Sequence, residues 1–366
     1  MFYINQHEQV NLLSKSLISY DGQTLLRLMS TVNDGVFILF ILPYLALHIR
    51  SSSEFLELEM NNDDFVEKVK DIRNGLKFFS DGHSKTRRKV KEVSDTQDNF
   101  FVNLMRFPIL KNLKLHYDLG IYFDEKGNLI GNTQCASICL NIEYDQNILG
   151  EECFKIGCGM GSQIRSIVEY NRCFIDFSDV TLFKDKKPVL FYKDYHTDKM
   201  DNVFRIALSK EQNLMLLHLA SILGFTNNYL LRYLDADNNW VFRILYVNVH
   251  NVFTALNRFE AYLQQNDKEK INLSQLTSLL NYGKKEIISS TFRNCMMHYG
   301  FIDKNSSVVI SKNNFNTGKM WFGLVEECFN GKKYEEYHQD LIQYSKELEQ
   351  WLNSFFNFEK ERLTRL

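Results

Sequence analysis

A chain of 366 residues is long enough for two or three domains, and 45% hydrophobic with 24% charged residues is typical of a globular protein. The formal net charge of -2 excludes a surface that attracts nucleic acid as a whole, so any such binding requires a local basic patch. The 7 cysteines form no CxxC pair and have no zinc-finger spacing with histidine, so we expect reduced, structural thiols.

Apolar residues at helical spacing predict a helical N-terminal region over residues 1–112, with a polar, basic surface connector near 80–98. We expect the cations of this connector to form a solvated face, because no aromatic residues interleave with them. The opening MFYINQHEQV lacks the pattern of a secretion signal. The apolar run 36–49 is shorter than a membrane span and contains Pro43, which favours a buried helix pair in a cytoplasmic protein.

A β-rich region is predicted over residues 113–202. The stretch LKLHYDLGIYFDEKGNLIGN alternates around a Lys-Gly-Asn turn, and VTLFKDKKPVLFYKDY alternates around Lys-Lys-Pro, which indicates a small antiparallel sheet. Between them, GCGMGSQIR lacks the Lys-Ser/Thr of a phosphate-binding loop and does not match the dinucleotide fingerprint. We expect it to form a glycine-rich turn or bulge.

Residues 203–366 are predicted to form a bundle of four or five helices, with Ser209 as the N-cap of the first. The predicted fold class is therefore α+β and mostly α. A helical N-terminal segment and a small antiparallel β region precede the C-terminal bundle.

One short motif in this bundle carries the candidate chemistry. In FRNCMMHYG, Arg293 and Asn294 precede His298, and Gly300 suits a helix end. The pattern allows four to six residues between the arginine and the histidine. Because the chain contains 9 histidines in 366 residues, about one such match is expected by chance. A second match, RILYVNVH from Arg243, has apolar residues between its ends and is typical of a core helix.

The RNCMMH motif, late in a helical C-terminal half, resembles the signature of the HEPN superfamily: arginine, a polar residue, three to five further residues, then histidine. The resemblance implies an all-helical domain that dimerises and places two motifs around one cleft. Many members are metal-independent RNA endonucleases, often toxins or effectors of antiviral defence, and others bind nucleotides or have lost catalysis. It therefore implies an RNA substrate, a homodimer and a regulatory or neutralising partner such as an antitoxin.

The residue types suit RNA cleavage, because RNA carries its own nucleophile in the 2′-OH. His298 is the candidate general acid/base, and Arg293 presents a planar cation to phosphate oxygens. Asn294 is expected to orient the imidazole or to contact the backbone. No metal-ligand spacing occurs, so we expect neither a metal nor another cofactor.

Two alternatives remain at the sequence level. The first is a non-catalytic HEPN-like module that binds a protein or a nucleotide, with Arg293 and His298 holding the fold or the dimer. The second is an ordinary helix whose terminal histidine suits the macrodipole. Of the other histidines, His218 is predicted to lie in the core and His338 to face solvent, while His250 is more typical of the core than of the cleft.

Overall fold

The fold is mostly α-helical with one small antiparallel sheet, as the sequence predicts. The computed structural model describes residues 6–32, 35–60, 62–78, 81–104, 117–140, 146–171, 184, 188–200, 203–205, 208–266, 271–303, 307–358 and 363–365. Its N-terminal helices are α1 (Gln6–Thr31), α2 (Gly35–Leu56), α3 (Asp63–Gly75) and α4 (His83–Leu104).

The middle of the chain contains strands and helices in alternation. The elements are β1 (Leu119–Asp124), β2 (Leu129–Asn132), α5 (Thr133–Leu140), α6 (Gln146–Asn171) and β3 (Leu190–Tyr195). A two-residue strand near the C-terminus, β4 (Thr364–Arg365), completes the sheet in the order β2-β1-β3-β4, with antiparallel neighbours.

The C-terminal part contains the predicted bundle. Its helices are α7 (Lys210–Gly224), α8 (Asn239–Asn266), α9 (Ser274–Tyr282), α10 (Ser290–His298), α11 (Leu324–Cys328) and α12 (Tyr334–Asn353). A π-helical turn, Phe225–Leu230, and a last turn, Leu231–Tyr233, extend α7.

Helix α8 lies at the centre of the molecule and contacts α1, α4, α7, α9, α10 and α12. It is apolar around most of its circumference, from Trp240 to Leu263, which is the pattern of a helix surrounded by others. One continuous hydrophobic core joins the N-terminal helices, the sheet and the bundle through it. Elements distant in sequence can therefore meet around α8 and α10.

Several local predictions are confirmed. The first hairpin forms, with Ile121 paired to Asn132. Ser209 caps α7 in a capping box, because its hydroxyl accepts from Gln212 N while the Gln212 side chain accepts from Ser209 N. The second hairpin is only partly testable, since its second strand is β3 and its turn lies outside the described residues.

The basic segment near 80–98 is a helix, and its prediction as a connector was wrong. Its cations follow helical spacing and pair mostly with acids on the same face, which supports a helix whose apolar stripe is thin. The pairs are Lys85 with Asp81, Lys89 with Glu92 and Lys91 with Asp95, and Arg87 also reaches Glu211 at 3.6 Å. A solvated, charge-paired face is therefore confirmed on α4.

The glycine-rich stretch was also predicted wrongly, because it lies inside α6 rather than in a turn. Its glycines allow close helix packing. A Cβ on Gly159 would lie 2.9 Å from the Phe65 ring of α3, and one on Gly161 would lie 3.2 Å from Met29 of α1. Among the described residues of the range 113–202, two α-helices therefore lie beside the three strands.

The apolar run near residue 40 forms the single helix α2, which continues through Pro43 instead of dividing into a pair. Among the described residues, the helix Lys210–Tyr233 is long and apolar enough to cross a membrane. Its apolar window is 89% buried within the molecule, which is the burial of a core helix.

Candidate functional site

Helix α10 carries the whole arginine–histidine motif. Ser289 caps its start, with the hydroxyl accepting from Phe292 N at 3.2 Å. It ends at His298, where Tyr299 adopts a left-handed conformation with φ 55°. The left-handed residue is therefore Tyr299 and not the expected Gly300, so tertiary contacts of the tyrosine must offset its backbone strain.

His298 is half-exposed at the C-terminal end of α10, with 42% of its side chain accessible. Its Nδ1 lies 3.7 Å from Glu54 Oε2 on α2, and the other oxygen of Glu54 accepts from Arg50 Nε at 2.7 Å. Partial burial and the charge of Arg73 lower the pKa of His298, against the opposing effect of Glu54. The imidazole is therefore predominantly neutral at pH 7.

Arg293 and Asn294 contact each other rather than the imidazole. Arg293 Nη1 donates to Asn294 Oδ1 at 3.0 Å, and Asn294 is exposed. The amide therefore holds the guanidinium, which is a different role from the imidazole orientation expected from the sequence. Met296 and Met297 between the motif residues are buried, as expected for packing side chains.

Two cations from outside the motif lie close enough to it to act electrostatically. We call Arg73, Lys77 and Arg293 the cationic cluster. Arg73 is near the end of α3 and Lys77 follows that helix, whereas Arg293 is on α10. All three lower the pKa of His298, and Arg293 also lowers the pKa values of Arg73 and Lys77. Burial and then Arg73 lower the pKa of Lys77 to about 8.

Sequence reasoning missed Arg73 and Lys77. They are four residues apart, which is the spacing of one helical face, and this is the signal that could have paired them. Nothing in the sequence places that face against α10, because residues 73 and 293 are brought together only by the packing of α2 and α3 on the bundle.

His250 is partly buried, with its Nδ1 inside the molecule, and Arg293 acts on it electrostatically. Burial, and then the charge of Arg293, lowers its pKa to about 4, so the ring is neutral. Tyr246, one turn earlier on α8, has its ring 6.1 Å from that of His250, and Arg293 also acts on its hydroxyl. The two rings on which Arg293 acts are therefore both uncharged.

The second sequence match has a structural role. Arg243 is buried in α8, donates from Nε to Asp21 Oδ2 at 2.7 Å, and donates from Nη1 to the Met296 carbonyl at 2.5 Å. Its guanidinium carbon lies 4.0 Å from the centre of the Tyr299 ring. We call Asp21, Arg243, Tyr299 and His48 the buried network.

The buried network fixes the end of α10. Tyr299 donates its hydroxyl to Asp21 Oδ2 at 2.7 Å, and its oxygen lies 2.8 Å from His48 Nδ1. Ser51 donates to the Met297 carbonyl at 2.5 Å. These bonds hold the two carbonyls before His298 and the residue after it, so they position the imidazole although none of them touches it.

Two further histidines considered from the sequence, His218 and His338, are buried. His218 is fully buried, as predicted, and burial lowers its pKa to about 3. The prediction that His338 faces solvent was wrong: it is 6% exposed and packs against the rings of Phe242 and Tyr334. The charged residues around it in sequence occupy the other face of the amphipathic α12.

Comparisons of the chain with known protein families, with curated proteins and with solved structures find no match. Within the part of the chain that the structure describes, no group of three or more His, Cys, Asp or Glu side chains is placed to hold a metal ion. The site is thus defined by its own chemistry: a neutral, accessible imidazole that faces the Glu54 carboxylate and is influenced electrostatically by cations from two parts of the chain.

Proposed function

We propose that this protein is an RNA endonuclease that cleaves through the 2′-OH of its substrate without a metal cofactor. One observation carries the proposal: His298 is neutral and half-exposed, and it lies within the electrostatic range of the three cations of the cationic cluster. A phosphodiester anion is attracted to such a site, and its 2′-OH needs a base to become nucleophilic. The resemblance of RNCMMH to the HEPN signature supports the same activity.

In this mechanism His298 accepts the proton of the 2′-OH as the oxygen attacks phosphorus. The P–O bond to the 5′ oxygen breaks, a 2′,3′-cyclic phosphate forms, and the leaving oxygen takes up a proton from water. A positioned acid/base contributes about 10²–10⁴-fold to such a step. Because Glu54 faces Nδ1, its carboxylate favours the tautomer that is protonated there and leaves Nε2 as the base.

Arg293 is the group that stabilises charge on the phosphoryl oxygens. Its planar fork presents several donors, and the bond to Asn294 fixes one of its amino groups. Asn294 then restricts the guanidinium without approaching the reacting atoms. The two neutral rings behind it, Tyr246 and His250, leave its charge for the substrate.

The proposal includes a homodimer formed through the C-terminal bundle, with two motifs around one cleft. It also includes a cytoplasmic location and a role as a toxin or an effector of antiviral defence, under the control of an antitoxin or another regulatory partner. These parts rest on the family resemblance, and sedimentation of the purified chain tests the first of them.

A non-catalytic HEPN-like module that binds a nucleotide or a protein is the second candidate. The observation that favours it is the cationic cluster itself, because three cations bind a phosphate whether or not His298 transfers a proton. In that case Arg293 and His298 bind the ligand or stabilise the fold. RNA incubated with the His298→Ala variant then stays as intact as RNA incubated with the wild-type chain.

The deciding experiment compares His298→Ala with the wild-type chain on end-labelled RNA in excess EDTA. The exposed His7 on α1 supplies a matched control, His7→Ala. We expect wild type and the control to release fragments ending in 2′,3′-cyclic phosphate, to leave a 2′-deoxy substrate intact, and His298→Ala to be at least 10²-fold slower. Equal cleavage by wild type and His298→Ala, or no cleavage by either, refutes the proposed activity.

Thermal melting of the same variants separates the two candidates further. A half-exposed catalytic histidine can be replaced with little loss of stability. A loss of several kcal/mol in His298→Ala would instead indicate that the side chain holds the fold.

A further inference from the structure

We propose that a groove beside the motif binds one nucleobase of the RNA, next to the scissile phosphate at His298. The groove lies between α1 and the chain that follows α10, and we call it the α1 groove. Its described lining comes from α1, from Phe55 of α2 and from the segment 300–302. The inference rests on the proposed function, since it takes the phosphate at His298 as the reacting one.

Two hydrogen bonds fix the direction in which the chain after α10 passes α1. At the start of this stretch, the Tyr299 hydroxyl donates to Asp21 Oδ2 at 2.7 Å. Beyond the groove, Gln6 Nε2 donates to the Ile310 carbonyl at 2.9 Å. The chain therefore runs along α1 from Asp21 toward Gln6, and Gly300 lies at the inner end of the groove, nearer the motif.

The inner end of the α1 groove adjoins the candidate catalytic histidine. A Cβ on Gly300 would lie 3.9 Å from the His298 carbonyl oxygen and would meet no other neighbouring group within 4 Å. Phe55 directly follows Glu54, whose Oε2 lies 3.7 Å from His298 Nδ1. A nucleotide with its phosphate at the imidazole therefore meets this end of the groove with its nucleobase.

Asn11 is the polar lining residue at the inner end. Helices α1 and α2 are antiparallel neighbours, and a Cβ on Gly22 would lie 3.1 Å from His48 Nε2. Phe55 comes seven residues after His48, so it lies beside α1 about seven residues before Gly22. That position is nearer to Asn11 than to His7, which lines the outer end about 6 Å farther along α1.

The lining suits a flat, uncharged ring. Val10 and Phe301 are buried and form an apolar floor, and the half-buried Phe55 supplies an aromatic ring for stacking. Asn11 is exposed, and its amide both donates and accepts, which suits the hydrogen-bonding edge of a nucleobase. No lysine or arginine occurs among the described residues of the lining, so the groove itself does not attract a phosphate.

The size of the groove favours a nucleobase over a protein partner. Its volume of about 450 Å³ is that of a small-molecule site. Nine described residues line it, whereas a stable protein interface uses about 20–30 residues on each side. A single nucleobase, tethered through its sugar to the phosphate at His298, fits this space.

The test uses two variants of the full chain: Gly300→Leu, which fills the inner end, and Asn11→Ala, which removes the amide. Gly82→Leu and Leu12→Ala are the matched controls. A Cβ on Gly82 meets no atom within 4 Å, and the exposed Leu12 is next to Asn11 but outside the described lining. Fluorescence anisotropy measures Kd for short 2′-O-methyl homopolymers of each nucleobase, which cannot be cleaved, at several salt concentrations.

We expect Gly300→Leu to raise Kd about tenfold, because the stacked nucleobase is displaced. Asn11→Ala should reduce the ratio between the Kd values of the weakest and the tightest probe by about threefold or more. Neither variant should change the slope of log Kd against log salt, since the lost contacts are uncharged. The controls should match wild type, and Asn11→Ala, at an exposed position, keeps the test open if Gly300→Leu fails to fold.

Four outcomes overturn the inference. Two are affinities of both groove variants equal to those of the controls, and a wild-type chain that binds none of the probes. A smaller salt slope in either groove variant assigns the contact to a phosphate. A wild-type dimer that Gly300→Leu dissociates assigns the groove to a second copy of the chain.

Turnover of unmodified RNA separates this inference from the proposed function. If the wild-type chain cleaves RNA and the groove variants keep its rate and nucleobase preference, the activity stands and the subsite fails. If the wild-type chain binds the 2′-O-methyl probes through the groove but cleaves nothing, the subsite stands and the proposed nuclease activity fails.

Discussion

The two arginine–histidine matches allow one substitution to be compared at two sites. We predict that Arg243→Met strongly destabilises the protein, whereas Arg293→Met changes its stability little and abolishes most cleavage. Methionine preserves much of the length and removes the charge in both cases, so the difference between the variants measures what each guanidinium does.

The magnitude at residue 243 follows from its contacts. The substitution removes a buried ion pair to Asp21, a hydrogen bond to the Met296 carbonyl, and a cation–π contact with Tyr299. Breaking a buried pair from one side costs about 3–5 kcal/mol. The Tyr299 hydroxyl still donates to Asp21, so we expect a loss of about 3 kcal/mol and a melting temperature lower by about 4 °C.

At residue 293 the side chain is partly exposed, and among the described residues it donates a hydrogen bond to exposed Asn294. The stability change should stay within about 1 kcal/mol, and kcat should fall by about 10²–10³-fold through loss of a charge-stabilising donor. Urea unfolding and the RNA cleavage assay measure the two effects. Equal destabilisation by both variants, or a tolerated Arg243→Met, would refute the assignment of the two arginines.

Three further predictions follow from other parts of the fold. The buried rings of His48 and His218 have pKa values lowered to about 3, so both stay neutral in the folded protein. Below about pH 6.5 the unfolded chain takes up protons that the folded protein does not, and the free energy of unfolding therefore decreases as the pH falls. At pH 5 each should cost about 2 kcal/mol of unfolding free energy, and flat stability between pH 7 and pH 5 would contradict this. Burial raises the pKa of the Cys328 thiol to about 12. Iodoacetamide at pH 8 should therefore label exposed Cys158 and spare Cys328 until the protein unfolds. Mass spectrometry of the labelled chain measures which cysteine has reacted. Gly224→Ala should lower the unfolding free energy by about 1–3 kcal/mol in a urea titration, since a Cβ there would lie 2.3 Å from a carbonyl oxygen of β2.

Local chemistry made parts of the fold predictable. The Ser209 capping box and the first hairpin depend on residues within a few positions of each other, and both are present in the structure. The mostly helical C-terminal half follows from periodicity that any core-facing helix must show.

The wrong predictions share a different cause, because each depended on a partner distant in sequence. Glycines in α6 look like a turn until Phe65 and Met29 are known to pack against them. The charged stretch of α4 looks like a loop because its apolar stripe is thin and is recognised only when the distant helices that pack against it are known, although its ion pairs are local. His338 looks solvent-facing because its neighbours in sequence are charged.

The same limit applies to the candidate site. The motif residues lie within five positions of each other, but what distinguishes Arg293 from Arg243 is tertiary. Arg293 acts electrostatically on Arg73 and Lys77, whereas Arg243 is enclosed by Asp21 and Tyr299. Spacing could not separate them, since both sequences satisfy the same loose pattern.

The electrostatics of the site connect substrate binding with proton transfer. The cations that attract a phosphate also lower the pKa of His298, so in the free protein the imidazole is neutral and ready to accept a proton. A bound phosphate offsets those cations and raises the pKa of the same ring, which makes the transfer from the 2′-OH more favourable. Removing Arg73 should therefore weaken binding and also move the acidic limb of the kcat/KM profile to higher pH, whereas a purely structural arginine would leave that limb in place.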